Sequence, residues 1–246
     1  MKILVVGGTG LIGTKLVRKL REHGHEALAA SRNTGVNVAT GEGLADAIHG
    51  VEVVVDVTQA PSFAEQAVHD FFQSSTKNLL AAGIKAGVKH LLALSVVGTA
   101  RLQESGYFRG KIVQEELIKA GKLPYTLVQA TQFFEFVPAI LAASTVGEEL
   151  HVPPALIQPM SSDDVASALG KLATGKPHNG TVELGGPEPL ELEALLQRAL
   201  RAKGDKRKVK VDPKARYFGA AISERTLVPG AHAKLGTARF EDYLSM

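Results

Sequence analysis

The sequence predicts an α/β fold built on a doubly wound parallel sheet, with a small C-terminal lobe of mixed α/β character. Three observations carry this expectation. Short apolar runs alternate with segments of helical periodicity, which calls for right-handed crossovers and helices on both faces of the sheet. A glycine cluster, Gly7-Gly8-Thr9-Gly10-Leu11-Ile12-Gly13, follows the first apolar run directly and opens the first helical pattern. Past about residue 145, Pro153, Pro154, Pro159, Pro177, Pro187 and Pro189 interrupt the regular alternation.

The elements follow in order. Ile3 to Val6 is a short buried strand, and Leu11, Ile12, Leu16, Val17 and Leu20 then recur at helical spacing. Residues 25–30 are the second strand. A short acidic-flanked helix is expected near 42–49, and residues 51–57 (VEVVVDV) form the next strand. A long helix is expected from about Ser62, carrying Phe63, Ala67, Phe71, Leu79 and Leu80 and ending by Gly87. Residues 88–95 (VKHLLALS) are a strand, 107–120 a helix and 123–128 a strand. In the lobe, Ser161, Ser162, Asp163 and Asp164 place oxygen acceptors and negative charge at a helix start. Residues 181–184 then read as a strand, 191–203 as a helix and 209–211 as a short strand.

The chain has 246 residues, 45% hydrophobic and 22% charged, the make-up of one soluble globular domain or one with a small appended lobe. It contains no cysteine, which excludes disulfides, thiolate metal sites and thiol nucleophiles. The opening apolar run is too short for a secretory signal. No stretch approaches the roughly 18 consecutive apolar residues a spanning helix needs, so a cytoplasmic protein without a membrane partner is expected. The net charge of +3 raises the question of a nucleic-acid partner. The basicity lies in residues 203–216, where Lys203, Lys206, Arg207, Lys208, Lys210, Lys214 and Arg216 face only Asp205 and Asp212. No aromatic residue interleaves before Tyr217 to stack on bases. A charged edge strand that resists pairing between molecules is the favoured reading, with no specific nucleic-acid partner. His23 and His25 stand two apart without metal-ligand spacing, and no metal site is expected. Ser95 lacks the flanking glycines of a nucleophile elbow, which disfavours hydrolysis.

The glycine cluster satisfies both Gly8-x-Gly10-x-x-Gly13 and Gly7-x-x-Gly10-x-x-Gly13. Glycines here let the chain turn sharply, let the backbone approach a pyrophosphate with no Cβ in the way, and let the helix pack close to the sheet. The helix N-terminus adds free N–H groups and a positive dipole. Residues 1–145 are therefore expected to be a dinucleotide-binding Rossmann domain, the alternative being a merely tight turn. Residues 146–246 are the smaller lobe, expected to pack on the first and complete a substrate pocket. An NAD site usually places an acid roughly 20 residues past the glycines to accept from the ribose 2′-OH. Here Ser31-Arg32-Asn33 holds that place, with no acid between Glu26 and Glu42. Arg32 offers a planar fork of donors to a 2′-phosphate, so NADP is favoured, against an ordinary surface arginine.

Tyr107-Phe108-Arg109-Gly110-Lys111 puts a phenol and an ammonium four residues apart, on one helical face. The cation is expected to lower the phenol's pKa, making Tyr107 a proton donor to an oxygen that becomes negative as hydride arrives. Ser95 closes its strand at the C-terminal end, where ligands sit in open α/β sheets. Ser95, Tyr107 and Lys111 are thus the candidate hydroxyl, acid and cation. Phe133, Phe134 and Phe136 form an aromatic cluster that is either core or a platform for a flat ring such as a quinone.

The glycine loop, HLLALSVVG, YFRGK running into Gln114-Glu115-Glu116, and PYTLVQATQFFEF at 124–136 together resemble the NmrA-like group of atypical short-chain dehydrogenases/reductases. GTVELGGPE at 180–188 and YFGA at 217–220 extend the resemblance to nearly the whole chain. It implies that Thr9, Gly10, Leu11 and Ile12, in the loop that starts at Gly7, hold the pyrophosphate. Arg32, beside Ser31, would hold the 2′-phosphate, and Thr58, Gln59 and Ala60 would line the adenosine and ribose. Ser95 and Lys111 would flank the nicotinamide ribose; Thr131, Gln132 and Phe133 would border the nicotinamide and substrate. Asn37 stands where such chains often carry an aspartate for adenine. Many members lack the tyrosine and regulate instead of catalysing, so Tyr107 favours an enzyme. The expected activity is an NADPH-dependent reductase moving hydride to a small carbonyl compound or quinone. The alternative is a catalytically silent NADP-binding redox sensor. Nucleotide-sugar modification is disfavoured because the lobe past residue 145 is short for so large a substrate.

Overall fold

The computed structural model describes residues 1–245. In chain order the first elements are β1 (Lys2–Val6), α1 (Leu11–Glu22), β2 (Glu26–Ala30), α2 (Leu44–Ala47), β3 (Val53–Asp56), α3 (Glu65–Ala86), β4 (His90–Val96), α4 (Gly106–Ala120) and β5 (Tyr125–Ala130). There follow α5 (Val137–Ala143), β6 (Thr145–Val146), β7 (Glu149–Val152), β8 (Leu156–Ile157), α6 (Ser162–Ala173) and β9 (Gly180–Gly185). The last are β10 (Leu190–Glu191), α7 (Leu192–Ala202), β11 (Val209–Val211), β12 (Lys234–Leu235) and α8 (Phe240–Leu244). A seven-stranded parallel sheet has the order β12-β9-β5-β4-β3-β1-β2. The chain is a Rossmann-like α/β protein with small additional sheets.

The described residues divide into two compact units, one of residues 1–95, 106–129 and 165–182, the other of residues 96–105, 130–164 and the rest from 183 onward. In the first, β1 lies between β2 and β3, with Leu4 opposite both Leu28 and Val54. All four residues of β3 and four of the five in β1 are buried, as an apolar run covered on both faces must be. The stripe Ile12, Leu16, Val17 and Leu20 turns inward along α1. After β2 the chain returns past β1 to build β3, so strand direction of travel reverses between β1 and β3. That reversal opens a crevice beyond the carboxyl ends of the two strands.

Three glycines make the turn at that crevice. Gly7 takes φ +81°, and a Cβ there would stand 2.9 Å from the Val57 carbonyl oxygen. At Gly8 a Cβ would meet Ala29 Cα at 2.7 Å, and at Gly13 the Gly7 carbonyl oxygen at 2.1 Å. These residues are glycine because backbone occupies the space of a side chain. Gly10 differs: its φ of −82° suits any residue, and its nearest neighbour would be 3.4 Å away.

Helix α3 starts three residues later than its periodicity suggests. Ser62 Oγ accepts from the Ala64 N–H at 3.1 Å, holding a turn outside the helix, and Phe63 is 67% exposed there. Gly87, in the left-handed conformation, ends the helix. Strand β5 begins at Tyr125, after Pro124, which has no N–H to give a ladder. In the second unit α7 buries Leu192, Leu195, Leu196, Ala199 and Leu200 along one face. Strand β11 is the edge of a sheet ordered β11-β7-β6, pairing parallel to β7. There Lys210 pairs with Glu149 at 2.6 Å and Arg207 with Asp205 at 2.7 Å. Among the described residues no helix is long and apolar enough to cross a membrane.

Gly13→Ala should lower unfolding free energy by about 1 to 3 kcal/mol, because helix and turn must separate to admit a methyl group. Gly10→Ala should cost less, about 0.5 to 1 kcal/mol, since alanine meets no backbone clash there and is only a poorer N-cap than glycine. Urea denaturation of both variants checks the pair, and equal midpoints would contradict the packing argument.

Candidate functional site

The end of β1, the end of β2 and the loop after β3 converge on a cavity of about 240 Å³. Gly7, Ser31, Arg32, Asn37, Thr58 and Gln59 line it, with Val38, Pro61 and Phe71 supplying apolar wall. Among the described residues the Arg32 guanidinium has no hydrogen-bond or ion-pair partner, and Ser31 Oγ is buried without one. Helix α1 begins four residues after Gly7 of the cavity wall. Gly10 is its N-cap with no side-chain bond, the first turn holds no acid, and Lys19 and Arg21 sit in the last turn. An uncapped, acid-free helix start is electrostatically suited to an anion. The fold itself does not require glycine at position 10, yet a phosphate approaching the backbone does. These residues fit a dinucleotide: apolar wall for a base, an unpaired guanidinium beside it, and an open helix terminus.

Within the loop, Thr9 and Leu11 are exposed, whereas the Ile12 side chain is buried and leaves only its backbone to a ligand. Asn37 Oδ1 accepts from the Ala39 N–H at 3.2 Å and so serves its own turn. Ala60 does not line the cavity; it packs with Val68 and Phe72 in a small core against which Tyr107 rests.

Strand β4 and helix α4 place Ser95, Tyr107 and Lys111. The close approach of α4 to α3 depends on Gly110, where a Cβ would lie 2.6 Å from Val68 Cγ1. Lys111, only 2% exposed, is thereby buried with its ammonium 4.5 Å from the Phe72 ring centre. It donates to the Leu94 carbonyl at 2.8 Å and to Gln114 Oε1 at 2.5 Å. Gln114 Nε2 donates in turn to Asp56 Oδ2 at 2.8 Å. Ser95 Oγ donates to Glu115 Oε1 at 2.5 Å, and the same oxygen accepts from Gln129 Nε2 at 2.8 Å. The serine proton is therefore committed to Glu115.

Tyr107 turns to the cavity side, its hydroxyl donating to Gln59 Oε1 at 3.0 Å. No hydrogen bond joins it to Lys111, and the expected lowering of its pKa does not occur. Burial pushes the phenol up to about 12, an effect the bond to Gln59 only moderates. Phe63 leans on the phenol ring with centroids 5.9 Å apart, and Phe72 and Phe108 meet it edge-on. This aromatic group, not the 133–136 cluster, surrounds the phenol. Phe134 is buried against Phe240 and Tyr243, and Phe136 pairs with Phe218. Thr131, Gln132 and Phe133 belong to the second unit. There Thr131 Oγ1 donates to the Gln158 carbonyl at 2.6 Å, Gln132 Oε1 is buried without a partner, and Phe133 bridges to Met160.

Sequence reasoning missed Asp56 and the bridging role of Gln114. The available signals were an acid closing the apolar run Val53-Val54-Val55-Asp56, and an amide three residues after Lys111 on the same helix face.

Desolvation lowers the Lys111 pKa from its ordinary 10.5 to about 8, although Asp56 and Glu115 oppose the fall. Between about pH 8 and 10.5 the unfolded chain holds this proton and the folded chain releases it. Stability contributed here therefore rises with pH across that window. Relative to Lys111→Met, the unmutated protein should gain up to about 3 kcal/mol between pH 7 and 10.5, read from chemical denaturation. A difference that stays flat with pH would contradict the burial argument.

Comparison with known proteins places the chain. Residues 7–174 match the family described as NAD(P)H-binding. A curated relative, the photosystem II assembly factor Ycf39 of Synechocystis sp. (strain ATCC 27184 / PCC 6803 / Kazusa), is 26% identical over 149 residues, covering 55% of this chain and 46% of that protein. The chain thus spans about half the length of that relative. Among solved structures, a short-chain dehydrogenase/reductase superfamily protein from Agrobacterium tumefaciens with bound NAD superposes with TM-score 0.74 at 19% identity, covering 100% of this chain and 95% of that one. The dTDP-4-dehydrorhamnose reductase of Bacillus anthracis str. Ames in complex with NADP gives TM-score 0.74 at 15% identity, covering 100% and 98%. At such identities the structural likeness speaks for the fold alone, while the family match covers most of the chain. Residues 7–174 make up more than half of the sequence, and the chain belongs to this family of NAD(P)H-binding proteins.

Proposed function

We propose that the protein is a cytoplasmic NADPH-dependent reductase acting on a small carbonyl compound or quinone. The observation that carries this reading is the unpaired Arg32 guanidinium in the cavity wall, with no acid between Glu26 and Glu42 to meet a ribose 2′-hydroxyl. A bound nicotinamide supplies the hydride. The chain's own residues do the rest. Backbone N–H groups at the start of α1 bind the pyrophosphate, and Gly10 leaves room for its approach. Arg32 fixes the 2′-phosphate, while Thr58 and Gln59 border the ribose.

Tyr107 holds a proton at its phenolic oxygen and gives it to the acceptor's developing oxyanion. With its pKa pushed up to about 12, the phenol stays protonated at neutral pH and yields its proton only to a strong base such as an alkoxide. Lys111 keeps a positive charge close to the site, and Phe63 offers an exposed aromatic face beside the phenol for a flat apolar acceptor.

The second reading is a silent NADP-binding redox sensor. It is favoured by one feature: Tyr107, Ser95 and Lys111 each already have an internal partner, in Gln59, Glu115 and Gln114. Similarity to an assembly factor points the same way.

Arg32→Ala should weaken NADPH binding by roughly ten- to a hundredfold, about 1.5 to 3 kcal/mol, and leave NADH nearly unaffected. Calorimetry with both cofactors checks this, and equal affinities in the unmutated protein would remove the case for NADP.

Tyr107→Phe should preserve NADPH affinity while cutting turnover of aldehydes by about a hundredfold or more. Quinones should suffer less, because their reduced oxygens are weaker bases and can take protons from water. Absorbance loss of NADPH over a panel of aldehydes and quinones measures both. Tight NADPH binding with no acceptor reduced would leave the sensor as the better account.

A further inference from the structure

The Lys111 ammonium is met from every neighbouring element. Strand β4 presents the Leu94 carbonyl, α3 the face of Phe72, β3 the Asp56 carboxylate, and α4 itself Gln114 and Glu115. Gln114 connects two of these groups by hydrogen bonds at both ends. Its Oε1 accepts from Lys111 at 2.5 Å and its Nε2 donates to Asp56 Oδ2 at 2.8 Å. The other Asp56 oxygen accepts from the Thr58 N–H at 2.9 Å and the Thr58 hydroxyl at 2.7 Å. Lys111, Gln114 and Asp56 are all buried, so these bonds have little competition from water.

The direction of the chain is chemically determined. A carboxylate only accepts and an ammonium only donates, whereas a glutamine amide has one end of each kind. Placed between them, Gln114 satisfies both in one orientation alone. Asp56 therefore decides which end of Gln114 faces Lys111, and Thr58 decides where Asp56 sits. Thr58 also lines the nucleotide cavity.

We infer that Asp56 and Gln114 are positioning residues, a buried relay that orients an acceptor onto the Lys111 ammonium and ties it to the Thr58 loop of the cofactor cavity. This rests on the reading of Lys111 as the cation of the reductase site, but the relay itself is measurable without turnover. Asp56→Asn removes the acceptor that orders the amide. Gln114 can then bond the new side-chain N–H group only by turning its own oxygen away from Lys111, which leaves two donors facing each other. Gln114→Met removes the bridge while keeping length and burial.

The experiment is NMR titration of the cofactor-free protein carrying 13C-labelled lysine, with the Lys111 resonance identified by its absence in Lys111→Met. Asp56→Asn should move the Lys111 midpoint down by about one pH unit or more, a tenfold change in its acid constant. Asp56 also acts on the ammonium directly through its charge, so if it works through Gln114 as well, the shift should be clearly smaller in the Gln114→Met background than in the unmutated one. Charge alone would give shifts of equal size in both backgrounds, and such additivity overturns the relay. Where Gln114→Met does not fold, Gln114→Glu gives a second arm. It keeps the acceptor, adds charge beside the ammonium and loses the donor to Asp56, so the Lys111 midpoint should rise. A midpoint that stays or falls counts against the proposal. Loss of NADPH oxidation in every acceptor assay, with the double-mutant coupling intact, would sink the reductase reading and leave the relay standing.

Discussion

Taking an ammonium out of water costs several kcal/mol unless carbonyls, carboxylates or aromatic faces replace its hydration. The centre of the first unit is arranged around meeting that cost for Lys111. The burial begins with Gly110, whose missing side chain lets α4 press against Val68 and Phe72 of α3. The carboxylates that then compensate the charge are not spent on it alone. Asp56 also fixes the loop after β3 through Thr58, and Glu115 also gathers Ser95 of β4 and Gln129 of β5. One buried charge thus secures the carboxyl ends of three neighbouring strands.

Tyr107 occupies a different environment on the same helix. Its hydroxyl reaches out to Gln59 while the lysine four residues later points inward, so the pair shares a sequence spacing without sharing an electrostatic field. Helical spacing specifies a face; it does not specify how far each side chain sinks below it. A phenol raised by burial holds its proton firmly, which suits an acid that acts only when a strong base forms next to it.

The architecture was legible in the sequence because it rests on periodicity and on glycine. The run Val53 to Val55 is apolar at every position because both faces are covered, and Gly87 ended α3 where the pattern stopped. Boundaries were less legible where a side chain or a proline overrode the pattern, as Ser62 does ahead of α3 and Pro124 ahead of β5. For the site, Arg32 and the glycine turn could be located from spacing alone, since strand ends fix their positions. The network around Lys111 could not. It joins residues 56, 94, 111, 114, 115 and 129, and only folding reveals which polar side chains of different elements share one buried volume. Phe63 was hidden for a related reason: its place in an apolar pattern resembled a buried helix position, while its ring stands largely exposed.

The glycine turn has a consequence for how such a chain could change over time. Gly13 answers to the fold, because a methyl group would overlap the Gly7 carbonyl whether or not anything is bound. Gly10 answers to no such contact, because the folded chain has room for a side chain there, and under the proposed function it would answer to the bound phosphate. Two kinds of selection are thus superimposed on one short motif. A descendant that abandoned its nucleotide while keeping its shape would be free to drift at position 10 and would stay bound to glycine at position 13. The two positions together would record whether a lineage kept the cofactor or only the scaffold that once held it.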